Sequence, residues 1–229
     1  MTKVESGDIA VVERLLAARY SCRAFRPEPV PHETVARILD AAQRTASWCN
    51  SQPWQVTVFS GAATKRLADV LYAAASGGGH ASDFPTPREY RGKYLERRRE
   101  SGFQLYNALG IARGDKAAYN RQMLENFRFF GAPHVAILTT DEALGVYGAV
   151  DCGAYVANFM LAAQALGVAT VPQAALASQS EVVRAHLGAG DDRRVFCGIS
   201  FGYADEAHPA NSYRTSRATL EEAAAFIDT

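Results

Sequence analysis

The chain has 229 residues, 48% hydrophobic and 21% charged, a balance that belongs to folded globular proteins and excludes an intrinsically disordered one. Twenty-four basic residues offset twenty-four acidic ones, so no net field favours nucleic acid or an anionic membrane, and the expected partner is a small molecule. No apolar run approaches the roughly 18 residues of a membrane span, and the opening Met-Thr-Lys-Val-Glu-Ser-Gly-Asp lacks the apolar stretch of a signal peptide, so no membrane and a cytoplasmic location are expected.

Ile9, Val12, Leu15 and Leu16 recur at helical spacing and predict a short helix ending near Ala18. Directly after it, Arg19, Arg23 and Arg26 surround Ser21, and guanidinium forks beside a hydroxyl suit a phosphate monoester better than a metal or a nucleophile. Pro27, Pro29 and Pro31 then force an extended segment. A second helix from about His32 carries Val35, Ile38, Leu39 and Ala42 on one stripe. It delivers a loop, Ser47 to Gln52, whose small amide and hydroxyl groups suit a flat heterocycle or its sugar.

Gln55 to Phe59 alternates as a short strand, and a helix over about Thr64 to Ala75 follows it, ended by Gly77-Gly-Gly79. His80 to Pro87 reads as a loop, and Arg88 to Phe130 as more than one helix, interrupted at Gly102, Gly110 and Gly114. Val135 to Leu138 is a strand. Tyr147 to Leu166 is a long helix with alanines Ala154, Ala157 and Ala162 off its main apolar stripe, so burial on more than one side is expected. Gly167 caps it, Val168 to Val171 is a strand, and Ser178-Gln-Ser-Glu181 reads as a capping box opening a helix that ends at Gly188. Arg194 to Tyr203 is the last clear strand. Without a repeat or linker, residues 1–229 read as one mixed α and β domain.

Several other chemistries find little support. Cys22, Cys49, Cys152 and Cys197 form no C-x-x-C pair and are expected to be reduced and structural, and the five histidines show no metal-ligand spacing. No dinucleotide fingerprint or P-loop is present. Gly198-Ile-Ser-Phe-Gly202 fits the G-x-S-x-G nucleophile elbow, but a strand runs through it, and Asp205 and His208 follow too closely to sit on separate triad loops. Ser200 is therefore read as a strand residue. Arg97-Arg98-Arg99 is read as a solvated helix face.

The run Arg19-Tyr-Ser-Cys-Arg-Ala-Phe25, then Val30-Pro31, then Ser47-Trp-Cys-Asn-Ser-Gln-Pro-Trp54 resembles the nitroreductase family of FMN-dependent oxidoreductases. The resemblance returns at Pro172-Gln173-Ala174, at Ile199 to Tyr203, and at Tyr213-Arg214-Thr215-Ser216-Arg217, and it lapses only from about Gly77 to Phe130. It implies an α+β fold with a central, mainly antiparallel sheet flanked by helices, in a homodimer carrying FMN at the subunit interface. By the same resemblance Arg19, Tyr20, Ser21, Arg23 and Arg217 hold the FMN phosphate and ribityl side, with Arg214 a weaker candidate. Ser47, Trp48, Cys49 and Asn50 match the loop that reaches the flavin of the other subunit. The backbone of Pro172, Gln173 and Ala174 faces the flavin N5 and O4.

The implied activity is reduction of nitroaromatic or quinone-type acceptors, with NAD(P)H as transient hydride donor and no catalytic side chain. Alternatives on the same fold are reduction of an activated C=C and a flavin-binding role without NAD(P)H turnover. The variable segment over residues 77–130 is expected to select the acceptor, with Phe103 and Tyr106, joined by Trp48, as contact residues.

Overall fold

The computed structural model describes residues 7–227; the first six residues, on which the expected absence of a signal peptide rests in part, lie outside the described residues. Four strands, β1 (Gln55–Ser60), β2 (His134–Asp141), β3 (Ala169–Gln173) and β4 (Arg193–Gly202), form one sheet in the order β1-β2-β4-β3, antiparallel throughout. The expected antiparallel α+β architecture is therefore present. Pro172, which cannot donate to a ladder, sits on the edge strand β3, where that loss is tolerated.

β2 is buried on both faces because its side chains alternate between two cores. Val135 and Ile137 enter one core with Leu67 and Leu71 of α3 (Ala62–Ser76) and Val183 of α7 (Ser180–Leu187). Ala136 and Leu138 enter the other, with Ile38 of α2 (His32–Ala42) and Tyr155 and Phe159 of α6 (Gly145–Ala165). α1 (Asp8–Ala18) packs near α6 yet buries none of its residues.

The helical excursion consists of α4 (Gly92–Ala108) and α5 (Lys116–Leu124), followed by a 3₁₀ turn over Glu125–Gly131. Gly102 lies inside α4 rather than breaking it; the break falls at Gly110 and Gly114, both with positive φ (67° and 88°), which a side chain would resist. The loop before α4 is pinned at its start: Ala81 pairs with Gln179, and Asp83 binds Arg184 and accepts from Val195 N at 2.7 Å.

Three further expectations are corrected. The capping box at Ser178 and Glu181 is absent, because Ser178 belongs to a preceding 3₁₀ turn and its hydroxyl donates to the Ala175 carbonyl at 2.7 Å. The true capping box joins Thr219 and Glu222 and opens α8 (Leu220–Ala223). Glu142–Ala165 is 24 residues and contains an 18-residue window of mean hydropathy 1.2, long and apolar enough to cross a membrane by composition, against the expectation that no run comes near. Yet α6 packs one face on the sheet, and the face bearing Val146, Tyr147 and Val150 stays exposed, so it is not buried on several sides either.

Candidate functional site

The basic segment after α1 is placed by backbone pairing. Ser21 bridges to Thr170 of β3, and Cys22 N donates to the Thr170 carbonyl at 3.0 Å, which lays residues 19–23 along the sheet edge. The far end of the chain meets it through Asn211. This buried side chain accepts from Arg23 N at 2.8 Å and donates to the carbonyls of Ala24 (2.9 Å) and Asp205 (2.8 Å). The Tyr213 hydroxyl accepts from the Arg23 guanidinium at 3.1 Å. Tyr213 belongs to the closing segment that the family resemblance marks, but Asn211 is not legible in the sequence, because an isolated asparagine in a polar loop carries no spacing signal.

Between these segments lies a cavity of about 360 Å³ that gathers Arg19, Arg23, Arg214 and Arg217 with the hydroxyls of Ser21 and Thr215. No acidic side chain lines it, and among the described residues none of the four guanidiniums has an ion pair. Burial, and then the like charge of Arg217, push the Arg19 guanidinium below its ordinary value. Crowded cations without a counter-ion fit a phosphate dianion, which forked donors can bind at two oxygens. Arg214 stacks over the Tyr20 ring at 3.6 Å and donates to the carbonyls of Asn211 and Tyr213, while Arg217 donates to the carbonyls of Thr215 and Ser216. Arg26 does not join the cavity; it lies over Tyr203, 5.3 Å from the ring centroid.

β3 runs on from Thr170 to the Pro172-Gln173-Ala174 turn. A strand rises ~3.3 Å per residue, so Gln173 stands about 10 Å along the sheet from the basic segment. The Gln173 side chain is buried and consumed: its amide donates to the Asn126 carbonyl at 2.8 Å, and its oxygen accepts from the Ser200 hydroxyl. Ala174 is exposed, leaving backbone at the turn. Ser200 is wholly buried in β4, while Asp205 and His208 accept from Ala207 N and Ala210 N, so no nucleophile elbow exists. The flanking glycines are there for packing: a Cβ on Gly198 would collide with Leu176, and one on Gly202 would come within 2.7 Å of Pro133.

The loop from Ser47 to Gln52 lies apart from the arginine cavity, beside α6. Trp48 N donates to both Asp151 oxygens (3.3 and 3.2 Å), and the Trp48 indole meets Tyr147 edge-on at 4.1 Å. Ser47 Oγ accepts from Gln52 N at 2.9 Å, and Gln43 bridges Gln52 and the Trp54 indole at 3.0 Å each. Cys49, Asn50 and Gln52 all hold positive φ (52°, 54°, 46°). Ser47 and Gln52 are thus spent inside the loop, while Trp48, Cys49 and Asn50 remain exposed.

In the excursion, Phe103 packs under the Arg113 guanidinium at 4.5 Å and Tyr106 stacks on Tyr119 at 4.2 Å. Three of the thiols are buried; burial pushes Cys152 up to about 11 and Cys197 up to about 12, so both are inert as nucleophiles.

An antiparallel sheet between helices, with an unneutralised arginine cavity at its β3 edge, fits a protein that holds a phosphate-bearing ligand, and it is neither an α/β-hydrolase nor a Rossmann sheet. The chain belongs to the nitroreductase family, whose model matches residues 16–203. It is 43% identical over 216 residues to Nitroreductase NfnB of Mycolicibacterium smegmatis, covering 93% of this chain and 92% of that protein. It is 33% identical to a 4-nitrobenzoate reductase of Pseudomonas putida, over 90% of each chain. The crystal structure of the FMN-dependent nitroreductase NfnB from Mycobacterium smegmatis in complex with NADPH superposes with a TM-score of 0.91 at 42% identity, covering 96% of this chain and 100% of that one.

Proposed function

We propose that the protein is an FMN-dependent nitroreductase that oxidises NADPH and reduces nitroaromatic compounds, as a single-domain subunit of a homodimer. The observation that carries this reading is the cavity of four arginines without a carboxylate, built from both ends of the chain on a nitroreductase sheet. Arg19, Arg23 and Arg217, with Ser21 and Thr215, would hold the FMN phosphate. Backbone at Gln173 and Ala174 would meet the isoalloxazine, with the Gln173 side chain held out of the way by Asn126 and Ser200. When bound, FMN supplies reversible two-electron chemistry at its N5, serving a nicotinamide donor and then a nitro or quinone-type acceptor in turn.

The chain's own residues bind and orient, and no side chain is needed as a nucleophile. A second copy would cover the apolar surface left open on α1 (Ile9, Val12, Leu16) and α6 (Val146, Tyr147, Val150), bringing Trp48, Cys49 and Asn50 to the partner's flavin. The acceptor's shape is assigned to Trp48 and to Phe103 and Tyr106 of α4. A cytoplasmic setting, where thiols stay reduced, accords with four free cysteines.

The purified protein is expected to be yellow, to release FMN on heating, and to show bound-flavin reduction by NADPH in stopped flow, followed by reoxidation with a nitrobenzoate. Stoichiometric FAD, or a colourless protein that FMN does not saturate, overturns the reading.

A further inference from the structure

We propose that Asp151 of α6 is a positioning residue of the flavin site, acting through the backbone of Trp48 to set the shape of the Ser47–Gln52 loop; the inference rests on the reading of that loop as a flavin contact. Asp151 points inward from α6, 9% exposed, and both its oxygens face Trp48 N. Among the described residues no cation pairs with it. A carboxylate kept from water without a cation is costly, and a neutral acceptor could take one N–H more cheaply. What the charge adds is a stronger, charge-assisted bond to that N–H.

The loop needs such a bond. Cys49, Asn50 and Gln52 occupy the left-handed region, which non-glycine residues hold only when their surroundings over-determine it. The pins at Ser47 and Gln43 are local in sequence, 5 and 9 residues from Gln52. Asp151 is 103 residues from Trp48 and is the tie from α6 to the loop's backbone, beside the side-chain contacts of Tyr147 with the Trp48 indole and of Asn158 with Thr45. Those two contacts do not hold the Trp48 peptide, so without Asp151 the backbone leading into Cys49 and Asn50 loses the bond that fixes its direction, although the loop can still close on itself.

Two variant pairs test this by flavin titration and by the visible circular dichroism of bound FMN. Asp151→Ala is expected to raise the FMN Kd about tenfold or more and to change the flavin dichroism, whereas Asp151→Asn, which keeps an acceptor, recovers most of the affinity. The second pair deletes the donor. Trp48→Ala keeps the N–H and Trp48→Pro removes it, and Ser47 is already extended (φ −140°, ψ 158°) as a residue before proline must be.

Trp48→Pro should bind FMN more weakly than Trp48→Ala in the wild-type background and equally in the Asp151→Ala background. If Asp151→Ala fails to fold, the comparison of Trp48→Pro with Trp48→Ala decides alone. An FMN Kd within about twofold of wild type for Asp151→Ala, or equal affinities for the two Trp48 variants, overturns the proposal. Those results alongside a flavin-saturable wild-type protein leave the nitroreductase reading intact; a wild-type protein that binds no FMN ends both.

Discussion

The arginine cavity and the Ser47–Gln52 loop, the two parts of the proposed flavin site, are built by opposite means. The cavity is made of charge: side chains from the segment after α1 and from residues 211–217 converge, and nothing in the protein neutralises them. The loop is made of shape: its polar groups bond to one another, to Gln43 and, through the Trp48 N–H, to Asp151, and its backbone takes left-handed conformations that cysteine and glutamine rarely hold. A charge-built site tolerates some looseness but responds to salt. A shape-built one is indifferent to salt and fails when a single pin is lost.

The largest effect is expected where the cavity itself depends on shape. Asn211→Ala removes three hydrogen bonds, two of which join the two ends of the chain while the third closes the Asp205–Asn211 loop, and should cost about 3 kcal/mol, lowering Tm by several degrees together with FMN content. Thermal denaturation at saturating FMN measures it; an unchanged Tm would mean that the ends are held by something else. Next come Arg23→Ala and Arg217→Ala, each expected to weaken FMN binding by about 1.5–3 kcal/mol, ten- to over a hundredfold. The remaining affinity should fall less steeply with salt than that of the wild type, whereas Asp151→Asn should leave the salt slope alone.

Ser200→Ala should cost only about 1 kcal/mol, since it removes one hydroxyl from the Gln173 oxygen. NADPH oxidation should persist, and no serine-directed phosphonate should label the wild-type protein. The smallest effect concerns pH. Burial pushes His134 below its ordinary 6.5, and its Nε2 accepts from Val30 N at 2.9 Å, so the folded chain holds it neutral. The unfolded chain binds a proton near pH 6.5 that the folded one refuses, so this contribution is intact above about 6.5 and is lost as pH falls below it. Urea unfolding at pH 7.5 and 5.5 should show a shallower loss in His134→Gln than in the wild type.

The sheet and its helices were legible because their signals are local: Val35, Ile38 and Ala42 repeat at helical spacing, and Gly188 ends α7 in the left-handed conformation that glycine provides. The cavity's arginines were legible from charge density after α1 and from resemblance at Arg217. What holds them was not, because Asn211 acts across 188 residues and no local pattern encodes that distance. Arg26 was misread for a related reason: three neighbouring arginines look alike in sequence, and only the path of the extended segment turns one of them onto Tyr203. The false capping box shows local pattern overruled by packing, with Ser178 taken up by the turn before the helix.

The Asn211 junction has a consequence for how the protein comes into being. Its two sides lie nearly the whole chain apart, so during synthesis the arginines after α1 emerge long before the residues that complete their cavity. A nascent chain can form α2, β1 and α3 while still having nowhere to put a phosphate. If this cavity takes the FMN phosphate, as proposed, cofactor capture is deferred until the sheet has closed and β4 has led residues 205–217 back to the N-terminal segment. On the proposed reading, flavin loading then doubles as a report that residues 205–217 have folded back onto the N-terminal segment.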